Sequence, residues 1–157
     1  MGLRSLISFT CLLSLACTAT ESGTVERDGV TYAISAEGLT ALLTAAQPGD
    51  VVHLDADGTF AGSFRVPGGV SLDGHGATIV ASESAGLVLE DVSGSVFVRN
   101  LSIESEMGGI LGYEGSEAGD LTLTSVSVSV ARGFGIATEN LDVVVQDVDV
   151  QGPIAGS

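Results

Sequence analysis

The chain is poor in positive charge and in aromatic side chains. Its 157 residues include no tryptophan, 4% aromatic residues and five basic residues, all arginine, against twenty acidic residues. The resulting net charge of −15 repels polyanions, which argues against nucleic-acid binding. Anionic polysaccharides would be repelled too, unless a cation such as Ca²⁺ bridged them. The acidic residues are scattered along the chain, which is typical of a solvated surface.

Cysteine is equally scarce, and both copies lie near the amino terminus, at Cys11 and Cys17. The rest of the chain can therefore form no internal disulfide, and its stability must come from packing. Residues 1–16 combine one arginine with a short apolar run that ends in small residues, which predicts a secretory signal peptide rather than a membrane span.

The residues around Cys17 predict how the exported chain is processed. The sequence Leu13-Ser-Leu-Ala-Cys17 resembles a bacterial lipobox and predicts lipidation of Cys17, with anchoring in a bacterial membrane. Cleavage after Ala19, releasing a secreted protein, is the alternative. Residues 17–29 are small and polar and suggest a tether, followed by one domain over residues 30–157.

A repeated eight-residue pattern dominates that domain. Each copy reads apolar-x-apolar, two corner residues, then apolar-x-apolar, and copies begin at Val70, Val96, Leu121 and Val143. The first copy carries a two-residue insertion, His75-Gly76. Repeats of about this length are typical of solenoids, in which each coil packs only on its neighbours.

Two columns of small or polar residues recur with the repeat. The bend between the two half-strands favours residues that tolerate positive φ, and we assign this structural role to Gly74, Asn100, Ser125 and Asp147. A second column, which begins the next strand, contains Gly86, Gly109 and Gly135.

From about Leu39 to its end the chain resembles the right-handed parallel β-helix proteins of the pectate-lyase-like superfamily. The stretch Leu39 to Leu54, with its Pro-Gly-Asp turn, and the later Asp57-Gly-Thr-Phe60 look like that family's opening. We therefore expect an all-β parallel β-helix of about four to five coils, capped by a helix near residues 38–47. Only the amino end has a recognisable cap, so we expect the solenoid to be truncated at its carboxy-terminal end.

No catalytic cluster emerges from the pattern. Gly74-His75-Gly76 is similar to the Gly-His-Gly of polygalacturonases, but their accompanying aspartates and Arg-x-Lys are missing, and we interpret it as a turn. No acidic column aligns beside Arg99 or Arg132, as calcium-dependent lyases would need. The carboxylate pairs Glu104/Glu106 and Asp147/Asp149 are interpreted as solvated surface. We predict no catalytic residue, metal site or cofactor, with Ca²⁺ an open alternative that no motif supports.

The best candidate for recognition is the segment from Gly112 to Asp120, expected to be the longest loop, with Tyr113, Glu114 and Glu117 as candidate ligand contacts. The leading hypothesis for function is a cell-surface binding or scaffold lipoprotein that contacts glycans. A polysaccharide lyase or hydrolase with its catalytic rungs beyond this chain is the first alternative, and an adhesin is the second. If the chain were complete, the unpaired strand edge at its carboxy-terminal end would promote self-association.

Overall fold

The computed structural model describes residues 23–28, 30–33 and 38–152, and these form one all-β solenoid with one short helix. The elements in chain order are β1 Gly23–Arg27, β2 Val30–Ala33, α1 Leu39–Ala45, β3 Val51–Leu54, β4 Thr59–Ala61, β5 Phe64–Val66, β6 Ser71–Ala81, β7 Ala85–Ser105, β8 Gly108–Val130, β9 Phe134–Glu139 and β10 Asp142–Gln151. The prediction of an all-β solenoid is confirmed.

The chain winds through about four coils, and every coil pairs in parallel with the next. The pairs β3–β6, β6–β7, β7–β8 and β8–β10 run up the stack, while β4, β5 and β9 pair onto its other faces. Strands β6, β7, β8 and β10 each continue through a corner, because the bend interrupts the hydrogen-bonded ladder by only one or a few residues. The repeat predicted from the sequence is therefore the repeat of the coils.

Apolar side chains at equivalent positions stack into inner columns. The register pairs Leu72 with Val98, Val98 with Leu123, and Leu123 with Val145. Burying one such aliphatic side chain contributes about 1.5–3 kcal/mol to stability. Three of the inner columns consist of Val52, Leu72, Val98, Leu123 and Val145; of Phe60, Ile79, Ile103, Val128 and Val150; and of Phe64, Leu87, Ile110 and Ile136. Val145 and Val150, on the last described coil, continue two of these columns but are exposed there.

Helix α1 closes the amino end of the stack. Leu39, Leu42 and Leu43 are buried on its one apolar face and join the hydrophobic core. The chain then turns, and the buried Asp50 accepts two hydrogen bonds from Arg27 and one from the Gln47 N–H. This contact ties the turn to β1, which pairs antiparallel with β3.

Strand β1 lies within residues 17–29, the segment that the sequence suggested as a tether. Val25 is its one buried residue, and the other four residues of the strand are half-buried. A single inward valine is too short a signal to separate from a polar linker in the sequence. The predicted signal peptide, Cys17 and the first part of the tether lie outside the described residues. Among the described residues, α1 is the one helix, and at seven residues it is too short to cross a membrane.

The glycine column marks a place where two parts of a coil approach closely. A Cβ on Gly109 would lie 2.2 Å from Val128 Cγ1 and 2.3 Å from the Gly135 carbonyl oxygen. The equivalent Gly86 and Gly135 face Ile103 and Val150 in the same way. Glycine recurs in this column because the opposite aliphatic column fills the space that a side chain would need.

Candidate functional site

The first two coils form a polar cluster that we call the histidine corner, consisting of Glu26, His53, Asp73 and His75. His53 is the last residue of β3 that pairs with β6, and its partner is Asp73, one coil further along the stack. The pairing of β6 with β7 then shifts between Asp73 and Ala77, because residues 74–76 bulge out where later coils have a single corner residue. This insertion carries His75 back over Asp73 to meet His53.

Asp73 is buried at the centre of the cluster, with 2% of its surface exposed. Its carboxylate accepts hydrogen bonds from Arg99 Nε at 2.7 Å, Asn100 Nδ2 at 3.0 Å and the His75 N–H at 3.3 Å. Burial on its own would raise the pKa of Asp73, but these three donors together hold it below its ordinary value. Asp73 is therefore a fixed, ionised carboxylate at neutral pH.

The two histidines meet above this carboxylate. His53 Nδ1 lies 2.9 Å from His75 Nε2, and His53 Nε2 lies 3.2 Å from Glu26 Oε2. An ionised glutamate accepts a hydrogen bond, so the Nε2 of His53 carries its proton and Nδ1 is the acceptor. His75 then donates from Nε2 to His53. Both histidines of the chain take part in this contact.

Later coils have a plain corner at the same place. Asn100, Ser125 and Asp147 adopt positive φ values of 53, 52 and 52°. In the first copy the positive φ values lie at His75 and Gly76, one and two residues after Gly74. Gly74 has another reason to be glycine: a Cβ there would lie 2.4 Å from the Asn100 carbonyl oxygen.

A shallow groove of about 710 Å³ runs along the stack at another corner, and we call it the axial groove. Its exposed side is one column of residues on four successive coils, because Ala61 pairs with Val80, Val80 with Glu104, and Glu104 with Ser129. Ser82 and Glu106 also line it. The Ser105 hydroxyl beneath it is used internally, since it donates to the Ser84 carbonyl oxygen.

The arginines of the described residues all pair with acids on neighbouring segments of the chain. Arg99 binds Asp73, as described, and Arg132 Nη2 lies 3.3 Å from Glu106 Oε2. The repeat pattern in the sequence showed no acidic column beside either arginine, and the structure places one acid beside each. Arg99 also stacks on Phe97, with its guanidinium carbon 4.7 Å from the ring centroid.

The segment around Tyr113 lies within a strand and not in the separate loop that the sequence predicted, although residues 115–118 bulge out of the paired ladder. Residues Gly108–Val130 form the continuous β8, with Val92 pairing to Glu114 and Gly94 to Gly119. Strands β7 and β8 approach closely at Gly119, since a Cβ there would lie 2.5 Å from the Val92 carbonyl oxygen. The Tyr113 side chain is 39% exposed and lines a small cavity of about 310 Å³ with Glu139. The side chains of Glu114 and Glu117 lie outside the described part of the chain.

Sequence reasoning missed His53 altogether and assigned His75 to a turn. One signal was available: the two histidines are 22 residues apart, which matches the spacing between the last two copies of the repeat. Residues one period apart lie on neighbouring coils. The fold brings His53, Asp73 and His75 together, and it places Tyr113 and the axial groove elsewhere on the surface.

Comparisons with known proteins identify no relative of this chain: no family model, no curated protein and no solved structure matches it.

Proposed function

We propose that this protein is a cell-surface binding or scaffold protein, and that the axial groove holds an extended, uncharged polysaccharide. The observation that carries this proposal is the continuity of the groove across four coils. Parallel strands repeat every 4.8 Å or so, and a linear polymer can therefore follow the column from coil to coil.

The chemistry of the groove suits sugar. Ala61, Ala131 and the half-exposed Val80 supply an apolar floor, while Glu104, Ser82 and Ser129 supply oxygen atoms for hydroxyl groups. A pyranose ring presents the same mixture of apolar faces and hydroxyl edges. Glu104 accepts hydrogen bonds from sugar hydroxyls, and an ionised acceptor makes such bonds stronger than neutral ones.

The charge of the protein narrows the ligand class. With a net charge of −15, the surface repels pectate-like and alginate-like chains. Within the groove, Glu106 is already bound to Arg132, so Glu104 is the acid most available to a ligand. A neutral glucan, mannan or xylan fits this arrangement.

Export and anchoring complete the proposal and rest on the sequence. The apolar start, the lipobox-like residues and the resemblance to pectate-lyase-like β-helices support an exported lipoprotein attached through Cys17. Fractionation of host cells tests this part, with the expectation that Cys17→Ser moves the protein from the membrane to the soluble fraction.

Affinity electrophoresis against a panel of neutral polysaccharides tests the groove, using two matched variants. Ser129 and Ser127 are both exposed and lie two residues apart on β8, but only Ser129 lines the axial groove. Ser129→Tyr should block the groove and lower the affinity at least tenfold, and Ser127→Tyr should leave it unchanged.

Other outcomes would overturn the proposal in distinct ways. Equal retention of both variants would place the ligand off the groove, and selective loss in Ser127→Tyr would place it on the neighbouring face that Asn100 and Ser125 line. Release of unsaturated sugar from any polysaccharide would identify a lyase instead. Absence of binding across the panel would remove glycan recognition.

A further inference from the structure

We infer that the histidine corner is a binding site for a divalent transition metal, with His53 Nδ1, Asp73 Oδ2 and His75 Nε2 as the protein ligands and Zn²⁺ as the ion that fits them best. The pattern of the sequence alone predicted no metal site, because the three ligands come from two coils. This inference is independent of the proposed glycan function, since these residues do not line the axial groove.

The spacing of the three atoms matches metal coordination. His53 Nδ1 and His75 Nε2 are 2.9 Å apart, and Asp73 Oδ2 lies 3.9 and 3.7 Å from them. A point equidistant from the corners of that triangle lies about 2.1 Å from each, and Zn²⁺ binds imidazole nitrogen at about 2.0–2.1 Å and carboxylate oxygen at about 2.0–2.2 Å. In a tetrahedral site with such bonds the donor atoms lie about 3.4 Å apart, so the two nitrogens would separate by about 0.5 Å and the carboxylate oxygen would move closer by a similar amount.

The donor set selects the class of metal. Two imidazole nitrogens and one carboxylate oxygen suit Zn²⁺ and its neighbours in the transition series. Ca²⁺ takes six to eight or so oxygen ligands and is disfavoured by two nitrogens. The His75 side chain is 45% exposed, so water can reach the fourth position of a tetrahedron.

Two of the three ligands, His53 and Asp73, are already held in orientation. Glu26 accepts the Nε2 proton of His53, which leaves Nδ1 free to bind, and this carboxylate–histidine arrangement is common behind metal ligands. Asn100 and the His75 N–H fix one oxygen of Asp73 and Arg99 fixes the other. The metal would take the place of the proton that His75 shares with His53, and His75 would then carry its proton on Nδ1.

The local charge favours a cation. Glu26 and Asp73 contribute two negative charges and Arg99 one positive charge, which leaves the site negative before the ion arrives. Arg99 Nε occupies one lone pair of Asp73 Oδ2 at 2.7 Å and leaves another for the metal. Its positive charge weakens binding relative to a site without it.

Competition with a chromophoric zinc chelator tests the inference on the full chain, after dialysis against a metal chelator. One Zn²⁺ per chain is expected, and Co²⁺ should give the visible absorption of a four-coordinate ion with nitrogen ligands. His53→Gln and His75→Asn should each lower the affinity at least tenfold, since removing a ligand exceeds the roughly 10–100-fold effect of removing its supporting partner. Asparagine is chosen at position 75 because it tolerates the φ of 49° there.

Asp147→Asn is the matched control, because Asp147 occupies the equivalent corner of a later coil with a φ of 52°. It should leave zinc affinity unchanged, and circular dichroism should show the same fold in all variants. Glu26→Gln adds a graded test: it keeps a hydrogen-bond acceptor for His53 but removes the charge, and it should weaken binding less than loss of a ligand. If wild-type protein binds no Zn²⁺, or if His53→Gln and His75→Asn bind it as tightly, the corner is a hydrogen-bonded structural element and the inference fails.

Discussion

The histidine corner and the corners of the later coils occupy the same place in the repeat but are built differently. At Asn100, Ser125 and Asp147 a single residue of positive φ turns the chain. In the first copy three residues, 74–76, fill that place, and they cover Asp73 and bring His75 to His53. A two-residue insertion has thus turned a solvated bend into a buried carboxylate with two histidines, while the apolar register on both sides is unchanged.

Gly74→Ala should disrupt the histidine corner and should have the largest effect on stability among the changes considered. The added Cβ would lie 2.4 Å from the Asn100 carbonyl oxygen and 2.9 Å from Leu101 Cδ1, and both belong to the next coil. Overpacking of this kind costs about 2–3 kcal/mol in the free energy of unfolding, which urea titration measures. Thr124→Ala is the control, since Thr124 comes just before the plain corner of a later coil; its cost should stay below about 1 kcal/mol. Equal losses in the two variants would show that the inserted corner is no more tightly packed than the others.

The first coils also differ from the later coils in that they contain buried carboxylates, and Asp50 offers a test of this difference. Asp50 and Asp73 are the buried carboxylates among the described residues, and both lie in the first coils. The hydrogen bonds from Arg27, aided by the Gln47 N–H, hold the pKa of Asp50 below its ordinary value despite burial. A carboxylate whose pKa is lower in the folded state stabilises the fold at pH values above its pKa in the unfolded chain. This stabilisation is lost as the pH falls through its pKa in the folded state.

At pH 7, Asp50→Asn should therefore lower the free energy of unfolding by about 1–2 kcal/mol, toward the small end because Arg27 is partly exposed. The difference from wild type should shrink between about pH 4 and pH 2, where the wild-type carboxylate becomes protonated. Asp149→Asn, at an exposed position, should have no comparable effect. A deficit in Asp50→Asn that stayed constant down to about pH 2 would mean that the loss is steric rather than ionic.

Ser125→Asn tests the corners of the later coils. It should have the smallest effect on the free energy of unfolding, and that effect should be stabilising. A non-glycine residue at positive φ is strained, and asparagine tolerates that region better than serine. We expect a gain of about 0.5 kcal/mol, visible as a small rise in Tm. Ser127→Asn on the adjoining strand should give no gain, because asparagine is disfavoured in strands. A rise in Ser127→Asn that matched it would point to a general surface effect.

The inner columns could be predicted from the sequence because they depend on local alternation. Val98 and Leu123 are inward in the pattern and buried in the structure, and the coils pair in the register that the repeat indicates. The strand around Tyr113 could not be predicted, because glycine and serine residues suggest a loop; the neighbouring coil pairs with Glu114 and Gly119 on either side, and residues 115–118 bulge between them. The candidate metal site escaped prediction because His53 precedes the first copy of the pattern and has no marker of its own.

The order of residues along the chain was enough to set the kind of fold, since a repeat of alternating apolar residues and corner residues can bury its apolar side chains only by stacking coils. Composition was enough to set the acidic character of the surface. Which polar residues meet depended on the folded coils, because neighbours along the stack are one coil apart in the chain and a short insertion changes where each side chain lies. His53, Asp73 and His75 come together for that reason: parallel pairing sets His53 beside Asp73, and the bulge of residues 74–76 returns His75 to them.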